Sequence, residues 1–154
     1  FSAHMKITPI VIMLILSAMF IAGCNTQEKD LLSINLQEHK NLALHIHPEI
    51  EIIINGEKQT MPTNIGIGGE GMRVMHTHDS TGKIHIESPT PQQFYLGDFF
   101  KIWGRVFNAT CILDQCIDEN HRIKVLLNGK EDTRFEAIPL KDHDKVTIIY
   151  ERKS

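Results

Sequence analysis

Met72-Arg-Val-Met-His-Thr-His-Asp-Ser-Thr-Gly-Lys-Ile-His-Ile-Glu87 sets three imidazoles, two carboxylates and two thioethers around one turn signal. Val, Ile and Thr on both sides of Asp79-Ser-Thr-Gly82 predict a β-hairpin, because β-branched residues favour strands while Asp and Gly favour turns. Side chains two apart in a strand share a face, so His76 and His78 point the same way. A two-residue loop at Ser80-Thr81 sets His76 opposite His85 and Val74 opposite Glu87, and gathers all three imidazoles with Glu87 on one face. A type I turn over 79–82 with Gly82 left-handed shifts the pairing by one residue. It moves His85 and Glu87 beside Thr77 and Met75, and leaves His76 and His78 with Ile84 and Ile86. The local letters favour this second turn. One residue of register therefore decides whether the imidazoles converge.

On the N-terminal side, Leu42-Ala-Leu-His-Ile-His47 alternates cleanly and predicts a strand that carries a second imidazole pair, His45 and His47, on its polar face. Pro48 interrupts it. Glu49-Ile-Glu-Ile-Ile-Ile54 resumes as a strand and ends in Asn55-Gly56, the strongest two-residue hairpin signal, with Glu57 to Met61 returning beside it. Pro62 to Gly66 leaves the sheet. Gly66-Ile-Gly-Gly-Glu-Gly71 spells a dinucleotide-binding fingerprint, but Met72 to Met75 after it is strand-like and not helical, so it reads as a turn.

On the C-terminal side, Pro89-Thr-Pro91 breaks the strand. Leu96, Phe99, Phe100 and Trp103 then fall at i, i+3, i+4 and i+7, which predicts one short helix near 96–104 that Gly104 can end. Val106 and Phe107 extend the stripe if the helix continues. This spacing marks the aromatic residues as core rather than as a ligand platform. Arg122 to Leu127, Asn128-Gly129 and Lys145 to Tyr150 repeat the hairpin logic. The expected fold class is mainly β within α+β: antiparallel hairpins or a small sandwich with one short helix, forming a single domain over residues 41–154.

Phe1-Ser-Ala-His4 reads as the remnant of an expression tag. Residues 5–23 read as a secretory signal peptide, with Lys6 ahead of an apolar run too short to span a bilayer and small residues behind it. Ile21-Ala-Gly-Cys24 resembles the lipobox of bacterial lipoproteins. That resemblance implies acylation of Cys24, an exported protein and a lipid anchor at the periplasmic or extracellular face of the cell envelope. Residues 24–40 are polar and read as a tether, although Leu31, Leu32, Ile34 and Leu36 suggest that the second half joins the fold.

Two further resemblances bear on the fold. Asn128-Gly-Lys130 followed by Ile138-Pro-Leu-Lys-Asp-His-Asp-Lys-Val-Thr-Ile-Ile-Tyr150 resembles the C-terminal half of small β-grasp domains, with His143 standing where that pattern has Gly. The chain as a whole resembles an uncharacterised group of exported prokaryotic proteins that carry His-Thr-His-Asp-x-Thr-Gly and Leu-Gly-Asp-Phe-Phe-x-x-Trp segments. The resemblance implies location and fold, and carries no chemistry.

A formal charge of −3 provides no basic field for nucleic acid, and export argues further against that partner. With Cys24 taken by lipid, Cys111 and Cys116 remain as an even pair in an oxidising compartment, and a disulfide is expected between them. So short a loop contributes roughly 2 kcal/mol by loop entropy. A redox-active pair is the sharper alternative, but the spacing is not Cys-x-x-Cys.

The chemistry therefore rests on His45, His47, His76, His78 and His85. Strand-spaced imidazoles suit zinc and copper; Met72 and Met75 would favour Cu(I), and Glu87 or Asp79 would complete a harder site. The competing expectation is a metal-free, hydrogen-bonded histidine cluster on a structural lipoprotein that docks another envelope protein. No nucleophile constellation is present: Ser80 and Ser88 lack a strained elbow, and the downstream Glu and Gly spacing of cupin metal enzymes is missing after His78. The chain reads as a binding module rather than an enzyme.

Overall fold

A computed structural model describes residues 30–153. The tag remnant, the signal peptide, Cys24 and the start of the tether lie outside the described residues. Within them the protein is mainly β with one short helix, and the elements run β1 (Leu44–Ile46), β2 (Glu49–Ile54), β3 (Glu57–Lys58), β4 (Ile67–Gly68), β5 (Gly71–Met72), β6 (Met75–His76), β7 (His85–Ser88), α1 (Leu96–Trp103), β8 (Cys111–Ile112), β9 (Gln115–Cys116), β10 (His121–Leu127), β11 (Lys130–Glu131) and β12 (Lys145–Arg152). Among the described residues no helix is long and apolar enough to cross a membrane.

The larger sheet has strand order β11-β10-β12-β2-β3. Its two hairpins turn at Asn55-Gly56 and Asn128-Gly129, and all four residues have positive φ, as a type I′ turn requires. The central pair is parallel, however, with Val146 beside Ile50 and Ile148 beside Ile52. The sheet is therefore mixed and not built of antiparallel hairpins alone. Hairpin signals report neighbours along the chain; they say nothing of β12 inserting between β2 and β10. Period-two alternation does the rest, since Ile50, Ile52, Ile123, Val125, Val146, Ile148 and Tyr150 all face the core.

The parallel pairing of β2 and β12 makes the intervening chain one long crossover, which holds α1 and strands β6 and β7 of the second sheet. Helix α1 begins where the Asp98 carboxylate accepts the Tyr95 N–H at 3.0 Å and ends at Gly104 with φ 71°. Leu96, Phe99 and Phe100 are buried and Trp103 packs beside them, so the aromatic spacing is core. The apolar stripe does not run on as helix. Phe107 reaches the core from the following loop, 4.7 Å from Phe100 between ring centroids, while Val106 is exposed.

Ile34 and Leu36 are buried in the same core, and the Asn35 side-chain oxygen accepts the Met72 N–H at 3.2 Å. Strands β4 and β5 form a small hairpin over the glycine-rich stretch, with no helix after it. Cys111 and Cys116 face each other across β8 and β9 and are joined by a disulfide. In the turn from Lys141 to Asp144, His143 has φ 61°, the left-handed conformation that explains the expectation of Gly there.

Candidate metal centre

The second sheet has order β1-β7-β6, so β7 is its central strand. Ile86 and Ser88 face inward from it and are buried, while His85 and Glu87 lie on the opposite face. Strand β6 pairs Met75 with Ile86 and His76 with His85. Strand β1 pairs Ile46 with Ile86 and His45 with Glu87. One residue past β1 the same register brings His47 alongside His85, with ring centroids 4.7 Å apart. Two His-x-His pairs therefore flank one histidine on the central strand.

The His76–His85 register is the convergent one, yet neither local turn produces it. Residues 77–84 form a wider loop. Gly82 O accepts the Ile50 N–H at 2.8 Å and Ile84 N–H donates to Pro48 O at 2.9 Å, so the far side of the loop lies against the start of β2. Gly82 has φ 95°, and a Cβ there would sit 2.2 Å from Ile50 O. Asp79 does begin a turn, accepting the Thr81 N–H at 2.9 Å, but the turn ends there and does not cap a ladder. Pairing across to β2 overrides the turn letters.

Tertiary hydrogen bonds also fix β6. Thr77 is fully buried; its hydroxyl accepts the Ile65 N–H at 3.0 Å and donates to Pro62 O at 3.2 Å, while its own N–H donates to Ile65 O at 3.0 Å. Gly66 lies directly behind, where a Cβ would come within 2.3 Å of Met75 O. The chain after β1 is held by Asp142, whose carboxylate accepts the His47 N–H at 2.8 Å. Each His-x-His pair thus has its own anchor.

The rings close on two points. One nitrogen each from His45, His47 and His85 lies within 4.8 Å of the others, and so does one each from His76, His78 and His85. Some point is then within about 2.8 Å of all three nitrogens of a triad, against roughly 2.0–2.1 Å for zinc–imidazole bonds. Each nitrogen would have to move by under about 1 Å to reach that distance.

His76 is 0% exposed, and its Nδ1 donates to Arg73 O at 3.0 Å. This bond fixes the tautomer and leaves Nε2 as a lone pair, which is buried without any hydrogen-bond partner. His45 Nε2 meets Glu87 Oε1 at 3.2 Å, and that oxygen lies 3.9 Å from His85 Nδ1. His45 and His78 are exposed, so the cluster opens to solvent.

Burial lowers the His76 pKa below its ordinary value, with the neighbouring His78 and His45 adding to the effect and Arg73 O and Glu87 opposing it. Burial, then His47, His78 and His76, lower that of His85, against Glu87. Both shifts favour the neutral form that binds metal.

The other expected donors lie elsewhere. Met75 is fully buried beneath β6, on the face opposite His76, and Met72 pairs with Ile67 in the small hairpin. Asp79 belongs to neither triad. The donor set is thus imidazole with a nearby carboxylate, which suits Zn(II) and Cu(II) rather than Cu(I). Asp142 was not among the expected site residues, and its only signal was the turn sequence Lys141-Asp-His-Asp144. His121 stands apart, stacked on Tyr150 at 5.1 Å. No protein-family profile, curated protein or solved structure matches the chain, so the reading of this centre rests on its own geometry.

Proposed function

We propose that this protein is an exported, lipid-anchored module that binds or delivers a divalent zinc or copper ion at the cell envelope, through His45, His47, His76, His78 and His85. The observation that carries this reading is the buried, unpartnered Nε2 of His76 within a converging triad. An unsatisfied buried polar atom costs about 1–3 kcal/mol, and a bound cation removes that cost. A purely structural histidine cluster has no need of such an atom.

Three protein nitrogens with an open side leave a coordination position for water or for a second protein's ligand. That arrangement favours exchange over permanent storage. Lipidation at Cys24, with the polar residues after it as a short tether, would keep the centre at the membrane surface.

The test is equilibrium dialysis of the tag-free chain in detergent against micromolar Zn(II) or Cu(II). We expect stoichiometric uptake and its collapse in His85→Ala, with the circular dichroism spectrum unchanged. Absence of uptake by the folded wild-type chain would sink the proposal in favour of a metal-free lipoprotein that docks an envelope partner.

A further inference from the structure

We propose that the five imidazoles form one site with two positions: a single divalent ion is held by His45, His47 and His85 or by His76, His78 and His85, and moves between them, with His85 common to both. This inference rests on the metal-binding reading above.

The argument begins with convergence on two points rather than one. Both triads include His85, whose ring stands 4.7 Å from His47, 4.6 Å from His78 and 5.4 Å from His76 between centroids. A neutral imidazole has a single lone pair, so His85 completes only one triad at a time. Filling both at once requires His85 to lose its remaining N–H proton and bridge two dications about one ring apart. Among the described residues Glu87 is the one carboxylate that reaches His45 and His85, and Asp142 beside His47 serves only the outer position. Two divalent charges so close, with so little compensating charge and partly out of water, repel strongly.

The two positions are unequal, which gives the movement a direction. His45 is about half exposed, with its Nε2 3.2 Å from Glu87 Oε1, and His47 is partly exposed, so no ring of their triad is buried, whereas the other triad is exposed only at His78. The inner triad contains His76, whose tautomer is fixed by Arg73 O and whose Nε2 has no other partner. Loading at the outer position and retention at the inner one follow. Because His85 belongs to both triads, the two positions meet at one shared ring.

Metal content after gel filtration, together with the visible spectrum of the Co(II)-loaded tag-free chain, tests this. The expected result is one ion per wild-type chain. His45→Ala/His47→Ala and His76→Ala/His78→Ala should each still bind one ion, at least about tenfold more weakly and with distinct spectra, while His85→Ala loses more affinity than either. If removal of the buried His76 unfolds the chain, His78→Ala alone, at an exposed ring, replaces that pair. Two ions per wild-type chain, or wild-type affinity in one pair variant with none in the other, overturns the two-position site and leaves the metal-binding reading intact. No ion in the wild type removes both.

Discussion

In the larger sheet β10 and β12 pair from His121 to Leu127 and β12 and β2 pair from Lys145 to Tyr150, whereas β6 meets β7 only at Met75 and His76. The long ladders satisfy their own backbone and bury a continuous apolar face, so that sheet is stable by its own pairing and packing. The short sheet is held by bonds from outside it: Thr77 to residues 62–65, Ile84 to Pro48, and Asp142 to His47. Its outer face carries five imidazoles in place of apolar side chains. One sheet stabilises the fold, and the other uses that stability to hold polar rings close together and partly dry.

The separation of roles is most directly challenged at Ile148, fully buried at the centre of the larger sheet. Ile148→Ala is expected to lose about 2–5 kcal/mol of folding stability through lost transfer energy and a residual cavity. The remaining folded protein should bind the ion with wild-type affinity. Urea denaturation and a zinc-chelator competition measure the two quantities on one sample. Affinity that fell along with stability would mean that the two sheets are one cooperative support for the centre.

A smaller effect with the opposite pattern is expected at Thr77. Thr77→Val keeps the shape but removes the hydroxyl that accepts from Ile65 and donates to Pro62. Leaving those buried groups unsatisfied costs about 1–3 kcal/mol. Because Thr77 lies between His76 and His78, ion affinity should also fall, by about tenfold, the range seen when groups that orient ligands are lost. Stability lost without any change in affinity would show that the ring positions do not depend on this anchor.

The same contrast explains what was legible in the chain. Asn55-Gly56 and Asn128-Gly129 connect strands whose pairing is local, so the turn residues and the alternation after them specify the hairpins. Leu96, Phe99, Phe100 and Trp103 likewise specify a helix face through local spacing. Asp79-Ser-Thr-Gly82 offers equally good turn letters, but Gly82 and Ile84 bond to Ile50 and Pro48, some thirty residues away, and that pairing sets the register. The parallel contact of β2 with β12 is less local still, with nearly a hundred residues between partners. The five candidate histidines could be named from strand spacing alone. Their grouping into two triads around His85 depends on the order β1-β7-β6, which no local pattern encodes. The removal of Met75 from the donor set follows from the pleat once the register is known.

The smallest expected effect is on pH dependence. It separates a site built for neutral rings from a cluster held by charge. His76 and His85 both have pKa values below the ordinary 6.5, chiefly through burial. Between that ordinary value and the lower folded one, the unfolded chain binds more protons, so the metal-free protein should be fully stable above about pH 6.5 and lose stability as the pH falls below it. Glu87 opposes the shift at both rings and Arg73 O opposes it at His76, which keeps the change modest. Ion binding should weaken over the same interval, since protons and metal compete for the same lone pairs. Urea midpoints of the metal-free chain between pH 7.5 and 5.5 measure the first effect. A midpoint that rose on acidification would mean that the imidazoles gain more from charging beside Glu87 and Asp142 than they lose by burial. The outer face of β7 would then be a salt-linked surface, and the lone pair at His76 would have no cation to serve.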